Sequence, residues 1–197
     1  MNRLIRSVSI ALMCGSAAMA WAQQQNTNVR GTVTSFDGKT IVVATREGRT
    51  VEVALPDAVN VSGTKAFTLA DAKPGTVLGV TTVKRDGQLV AIDVRPIPPT
   101  ARLGLSAFDL QPDSTMTNAA LEGQMVSSNG AELMLNHGDG NVKVLVPAGT
   151  PMSQAVPGTR ADIKPGETVF ISARRDADGK LSAARVQVST NGVKPTQ

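Results

Sequence analysis

The chain has 197 residues, a formal net charge of +4, and only one Trp, four Phe and no Tyr. This length allows one or two domains, and the hydrophobic content of 41% excludes wholesale disorder. Because aromatic side chains are scarce, any core must be built from aliphatic residues and Met, so each core is expected to be small.

The N-terminus has the pattern of a secretory signal peptide. Arg3 and Arg6 precede an apolar run over residues 7–20, which is too short to span a bilayer, and Ala20-Trp21-Ala22 fits the small-x-small cleavage rule. We expect residues 1–22 to be removed by a cut after Ala22, which places the mature protein in the periplasm of a Gram-negative cell. Cleavage removes the single Cys and lowers the net charge to +2, so neither thiol chemistry nor a dedicated polyanion binder is expected.

An eight-residue motif occurs twice, 91 positions apart, as TLADAKPG at 68–75 and TRADIKPG at 159–166. In each copy the Thr and the Asp three residues later predict a capped helical turn, which the Pro ends and the Gly reverses. Turn dipeptides recur in register at 37–38, 47–48 and 86–87 and again at 129–130, 139–140 and 178–179. Together these matches predict an internal duplication.

The duplication predicts an all-β protein with two tandem five-stranded barrels. Residues 29–96 and 121–190 each carry five short strand patterns, with the capped turn between strands three and four, which is the element order of an OB-type barrel. Gly31 and Gly123 occupy equivalent sequence positions in the first strand, where Gly permits the sharp coil of a small barrel. Residues 23–28 and 191–197 are interpreted as a flexible leader and a flexible tail.

The segment 97–120 is expected to be the linker between the barrels. Phe108 and Leu110 are predicted to seal the joint between the two domains. The polar residues that follow form the candidate site for a ligand or partner, because clefts often form between domains; these residues are Asp109, Ser114, Thr115, Thr117 and Asn118. The alternative interpretation is that this Ser/Thr/Asn string caps local backbone groups.

With the repeats and linker described, the chain resembles a family of small exported bacterial proteins with one or two OB-like domains of unknown function. The resemblance covers nearly the whole mature chain, and its matching features are the signal peptide and the strings 108–119, 146–151, 162–166 and 178–186. Phe108 stands where the family typically has Trp. Relatives carry the automatic label "metal ABC transporter permease", but a permease needs several apolar spans, and the sequence has none after residue 22. The resemblance implies a fold and a location, not a mechanism.

Specific chemistry finds little support in the sequence. Met116, Met125, Met134 and Met152 could ligate Cu(I), but they lie in or beside strand patterns and are interpreted as core fillers, with Met125 matching Val33. No nucleophile motif is present, and His137 has no evident acidic partner, so no catalytic residue, metal ligand or cofactor is assigned. The basic pairs 84–85 and 174–175 precede equivalent turns, but the four Phe are too scattered for a nucleic-acid platform.

The sequence therefore predicts a non-enzymatic periplasmic binding or scaffold protein, acting through its barrel faces and linker on an envelope protein, a peptide or a glycan. The alternative function is a periplasmic metal-handling accessory protein.

Overall fold

The computed structural model describes residues 25–196, so the predicted signal peptide lies outside the described residues. These residues form thirteen β-strands and two short 3₁₀ helices. The strands are β1 (Gln25–Phe36), β2 (Thr40–Thr45), β3 (Thr50–Ala54), β4 (Asn60–Ala66), β5 (Val77–Arg85), β6 (Gln88–Pro96), β7 (Gly104–Ala107), β8 (Thr115–Ser127), β9 (Gly130–Asn136), β10 (Asn141–Pro147), β11 (Ser153–Pro157), β12 (Thr168–Arg175) and β13 (Leu181–Val188). The 3₁₀ helices are η1 (Leu69–Asp71) and η2 (Arg160–Asp162). Neither helix in residues 25–196 is long enough to cross a membrane.

Two closed five-stranded barrels confirm the predicted all-β class. Barrel 1 closes in the order β1-β2-β3-β13-β12 and back to β1, and its only parallel pairing joins β3 to β13. Barrel 2 closes in the corresponding order β8-β9-β10-β6-β5 and back to β8, with β10 parallel to β6. Each barrel therefore has the strand order expected of the OB type.

The two halves of the chain exchange their last two strands. The expectation that residues 29–96 and 121–190 each close into a separate barrel is corrected here, because β5 and β6 complete barrel 2 while β12 and β13 complete barrel 1. The cores show the same exchange: Val33 and Ile41 pack with Ile171 and Val186, and a second cluster joins Leu78 and Val94 to Leu121 and Leu133. Each half thus supplies three strands to one barrel and a hairpin to the other.

The physical cause of the exchange is the extended conformation of the two connecting segments. β4 and β11 pair with each other in antiparallel register, and Thr64 lies opposite Ala155, its own repeat equivalent 91 positions later. A pseudo-twofold axis therefore passes between these two residues. The start of β4 pairs in parallel with β13 of barrel 1, and residues 62–66 then pair with β11. Because a strand of seven residues spans roughly 23 Å, β4 carries the chain from the edge of barrel 1 to η1, which covers the core of barrel 2.

The predicted capped turns are present in both halves. The backbone N–H of Thr68 donates to Asp71 Oδ2 at 3.2 Å, and the Thr159 N–H donates to Asp162 Oδ2 at 2.7 Å. The N–H of Thr159, followed by its hydroxyl, lowers the pKa of Asp162 below the ordinary value. Each turn covers the core of the barrel that the chain is entering, since Leu69 belongs to the barrel 2 core and Ile163 to the barrel 1 core.

The first hairpin of barrel 2 is longer than its counterpart in barrel 1. Val33 pairs with Val43, whereas the equivalent pair in barrel 2 is Leu121 with Leu135, which are four residues further apart along the chain. The extra length shifts the structural equivalence of the first strand from an offset of 92 positions to 88. The prediction that Met125 fills the core as Val33 does is therefore wrong: Val33 is 1% exposed and Met125 is 66% exposed.

The same shift separates the two glycines that the sequence placed at equivalent positions. A Cβ on Gly31 would lie 2.1 Å from the Ala44 carbonyl oxygen, so only Gly fits at this position. A Cβ on Gly123 would meet nothing within 4 Å. The two glycines, predicted to serve the same purpose in equivalent strands, are therefore not structurally equivalent, and of the two only Gly31 lies against a neighbouring backbone.

The segments expected to lack structure are largely ordered. Residues 25–28 extend β1 and pair with β12, so the prediction of a flexible leader is wrong for these residues. The linker 97–120 contains β7 and the first six residues of β8. In the segment assigned to the tail, Pro195 is buried and the Thr196 hydroxyl lies 3.2 Å from that of Ser153.

Candidate functional site

The linker residues predicted to form a site are used mainly to hold the protein together. The Ser114 hydroxyl donates to the carbonyls of Phe108 at 2.9 Å and Gln111 at 2.8 Å, and accepts from the Gln111 N–H. Ser114 is only 4% exposed. Its side chain therefore closes the turn over residues 108–114, as the alternative interpretation of the string predicted.

The next three predicted site residues lie in β8. Thr115 pairs with β5 and β7 and is half-buried. Thr117 is 0% exposed and lies opposite Val80 of the barrel 2 core. The Asn118 amide donates to the Arg102 carbonyl at 3.2 Å. These side chains do not converge on a shared cleft.

Asp109 is the predicted site residue that remains accessible, and it is held by β1. Its carboxylate accepts from Arg30 at 2.7 and 3.2 Å and from the Asn28 amide at 3.0 and 3.1 Å. Burial tends to raise the pKa of Asp109, but the hydrogen bonds from Arg30 and Asn28 outweigh it, so the pKa lies below the ordinary value. Asp109 thus fastens the linker to barrel 1.

A ladder of alternating guanidinium groups and phenyl rings fills the joint between the barrels. Arg30 lies 5.2 Å from the centroid of the Phe170 ring and 5.5 Å from that of Phe108. Arg185 covers Phe170 at 5.7 Å, and Arg95 lies 5.9 Å from Phe108. Phe108 therefore connects β1 of barrel 1 with β6 of barrel 2, as the sequence predicted for the joint. Desolvated cation–π contacts of this kind contribute up to about 2 kcal/mol each.

The ladder ends at a buried ion pair. Arg95 is bonded to Asp93, whose side chain is 0% exposed, and Thr81 Oγ1 donates to the same carboxylate oxygen at 3.2 Å. Burial raises the pKa of Asp93, and the charge of Arg95, followed by the hydroxyl of Thr196, opposes that rise. Burial likewise lowers the pKa of Arg95, against the effect of Asp93. The pair is enclosed by protein, so its place in the fold is structural.

An open, mainly apolar groove lies at one end of barrel 2. It has a volume of about 720 Å³ and lies between the tip of the β8–β9 hairpin, the loop after β10 and the segment that enters η1. We call it the barrel-2 groove; the residues that line it include Phe67, Leu69, Val126, Ala131, Pro147 and Met152. None of the residues that line it in the described part of the chain is charged.

In barrel 1 the equivalent position is closed by the side chain of Arg160. Its guanidinium donates to the carbonyls of Gly38 at 2.9 Å, Leu55 at 3.4 Å and Pro56. The equivalents of these three residues in barrel 2 are Gly130, Val146 and Pro147, and all of them line the groove. Leu69 replaces Arg160 and packs into the core. The same architecture is therefore closed in one barrel and open in the other.

No sequence signal separated this groove from a core region. The Met and Val of the β8–β9 tip fit a buried strand equally well, and the prediction that Met125 and Met134 are core fillers is wrong because they are 66% and 37% exposed. Met116 and Met152 do pack into the interior, as expected. Within residues 25–196, no three side chains of His, Cys, Asp or Glu come together in a group that could hold a metal ion.

Comparison of the chain with protein-family models, with curated proteins and with solved structures gives no match.

Proposed function

We propose that this chain is a non-enzymatic binding protein of the bacterial envelope, and that its barrel-2 groove holds an extended, uncharged segment of a partner protein. The observation that supports the proposal is the difference between the two barrels. In barrel 1 the side chain of Arg160 fills the position equivalent to the groove. In barrel 2 Leu69 stands in its place, and the position opens into an apolar groove. Apolar grooves of this size commonly mark interaction sites.

The chemistry of the groove favours a neutral occupant. A charged side chain would lose its hydration there without finding an opposite charge, because none of the lining residues is ionisable. Apolar walls from Phe67, Leu69, Val126 and Met152 instead suit aliphatic side chains. Charged residues are similarly depleted from the centres of protein interfaces.

The strand beside the groove can also bind a main chain. Among the described residues, Gly123–Ser127 of β8 pair with β9 on one edge and with no strand on the other. An exposed strand edge offers N–H and C=O groups to an added strand. Natural proteins usually protect such an edge with charges, and the tip of the equivalent hairpin in barrel 1 carries Asp37 and Lys39. Residues 123–131 carry no charge.

A peptide array tests this proposal with a matched pair of variants. The mature protein is applied to an array of uncharged eight-residue peptides with alternating apolar side chains, and affinities of bound peptides are measured by fluorescence anisotropy. Val126→Glu places a charge in the groove and is expected to weaken binding at least tenfold. Met125→Glu is the control, because Met125 is equally exposed but, as its neighbour in the strand, faces the opposite side.

The proposal is supported if Val126→Glu weakens binding at least tenfold while Met125→Glu leaves the affinity within threefold of the parent. It is refuted if no peptide of the array binds, or if both variants weaken binding equally. Far-UV circular dichroism establishes that both variants remain folded.

A further inference from the structure

A second type of cleft occurs once in each barrel, at positions related by the pseudo-twofold axis. In barrel 1 it lies where β3 and β13 separate beyond their two paired positions, Val53 with Leu181 and Ala54 with Ser182. In barrel 2 it lies where β10 and β6 separate beyond Val144 with Leu89 and Leu145 with Val90. We call these the barrel-1 cleft and the barrel-2 cleft; neither shares a lining residue with the barrel-2 groove.

Cations gather at the barrel-1 cleft although the protein as a whole is only mildly basic. Arg49, Arg175 and Lys180 line it, against a single carboxylate from Glu52. Within the described residues, none of these three cations has a carboxylate oxygen within 4.0 Å. Arg175 instead donates to the Gly179 carbonyl at 3.0 Å, which fixes it at the turn before β13.

The exchange of hairpins is what assembles this cluster. Arg49 precedes β3 in the N-terminal half of the chain, whereas Arg175 and Lys180 flank the turn between β12 and β13 in the C-terminal half. The corresponding turn of the other half brings Lys84 to the barrel-2 cleft, where it faces Lys143. Lys143 is bonded to Glu132 at 2.8 Å, so the barrel-2 cleft carries less free positive charge.

We infer that the barrel-1 cleft binds an acidic saccharide. Three unpaired cations around a cleft of about 560 Å³ attract a ligand that carries several anionic groups. The remaining lining suits a sugar ring, because Thr40 and Thr50 supply hydroxyls and Val51 and Leu181 supply an apolar surface. Among residues 25–196, no aromatic side chain lines either cleft, so these residues supply no stacking platform of the kind that single-stranded nucleic acids use in OB barrels.

The test uses hexagalacturonic acid as the acidic saccharide, with the neutral cellohexaose and the oligonucleotide hexathymidylate as comparisons. Binding to the full mature protein is measured by isothermal titration calorimetry at low ionic strength. Arg49→Ser with Lys180→Ser is expected to weaken hexagalacturonate binding at least tenfold. Lys73→Ser with Lys164→Ser is the matched control, since it removes the same charge from exposed positions outside both clefts.

The inference holds if hexagalacturonate binds, cellohexaose does not, and only the cleft variant weakens the affinity. It is overturned if hexagalacturonate does not bind, if hexathymidylate binds as tightly, or if both double variants weaken binding equally, which would indicate net charge alone. Peptide binding in the barrel-2 groove is unaffected by either outcome, because the two sites share no residue.

Discussion

The ion pair between Asp93 and Arg95 predicts that removing one partner lowers the free energy of unfolding more than removing both. Asp93→Leu would leave the Arg95 guanidinium without its carboxylate in a position where the side chain is 13% exposed. Arg95→Met would leave a carboxylate that is 0% exposed without its cation. Uncompensated buried charges of this kind typically cost about 3–5 kcal/mol each.

The double variant Asp93→Leu with Arg95→Met replaces the pair by apolar side chains of similar size. Such replacements are often neutral, because the desolvation cost of both charges disappears with their attraction. We therefore expect the double variant to lose less stability than either single one. The loss of stability in the double variant minus the sum of the losses in the two single variants gives the coupling energy between the two residues.

The assay is urea denaturation followed by far-UV circular dichroism. With a typical slope of about 2 kcal/mol per molar urea, each single substitution should lower the midpoint by roughly 1.5–2.5 M. The Arg95→Met variant should also recover stability as the pH falls. The pKa of Asp93 is raised in the folded protein, so its protonation favours folding at low pH and this gain is lost as the pH rises through the folded pKa. Additive losses in the double variant, or a loss below about 1 kcal/mol for Asp93→Leu, would refute the reasoning.

Three further predictions follow from the architecture. Gly31→Ala should lower stability by about 1–3 kcal/mol through its clash with Ala44, whereas Gly123→Ala should change it by no more than about 0.5 kcal/mol; comparable losses in thermal unfolding would contradict the shifted register. The pKa of Asp109 lies below its ordinary value of 3.8. The stability that the ionised carboxylate contributes is therefore present above pH 3.8 and is lost as the pH falls through the folded pKa. The difference in melting temperature between the parent and Asp109→Asn should accordingly be smaller at pH 3 than at pH 6. The double variant Thr32→Cys with Thr168→Cys should form a disulfide under mild oxidation, because Thr32 and Thr168 pair across β1 and β12. The double variant Thr32→Cys with Val77→Cys should not form one. A non-reducing gel with the opposite result would show that each half closes on itself.

Most of the architecture can be predicted from local sequence signals. The Thr–Asp capped turns are formed as predicted, because each depends on contacts within four residues. The β class and the five strands of each barrel likewise follow from alternation such as Val51 and Val53 and from Gly turns, which are local signals. The additional strands β4, β7 and β11 lie in segments that were not expected to form strands. What local signals could not place was the length of the β8–β9 hairpin, since a strand with two more residues on each side carries the same alternation.

The barrel-2 groove could not be predicted from the sequence for the same reason. Transferring the register of Val33 to the second repeat predicts that Met125 is a core residue. Only the pairing of Leu121 with Leu135 shows that the strand continues beyond the barrel. Conversely, the polar string at 114–118 suggested a surface site, yet Thr117 faces the core and Ser114 closes a turn.

The exchange of the β5–β6 and β12–β13 hairpins could not be predicted from the hydrophobic pattern of a duplicated sequence. When two repeats share one fold, β12 presents the same inward-facing apolar pattern to β1 that β5 would present, since Val169 and Ile171 stand where β5 has Leu78 and Val80. Pairing within a repeat and pairing between repeats therefore satisfy the same hydrophobic pattern. The choice between them lies in the connection, where β4 and β11 gain strand pairing with each other only if the chain crosses over. This choice changes the charge of both clefts. The barrel-1 cleft combines Arg49 from one half with Arg175 and Lys180 from the other, whereas a barrel closed within the first half would face Arg49 with Lys84 and Gln88 at the corresponding positions. Closure within each half would instead place Arg175 and Lys180 beside Lys143, which is bonded to Glu132. The exchange therefore does not change how many cations line the two clefts together; it brings Arg175 and Lys180 to Arg49, which within the described residues is not paired with a carboxylate.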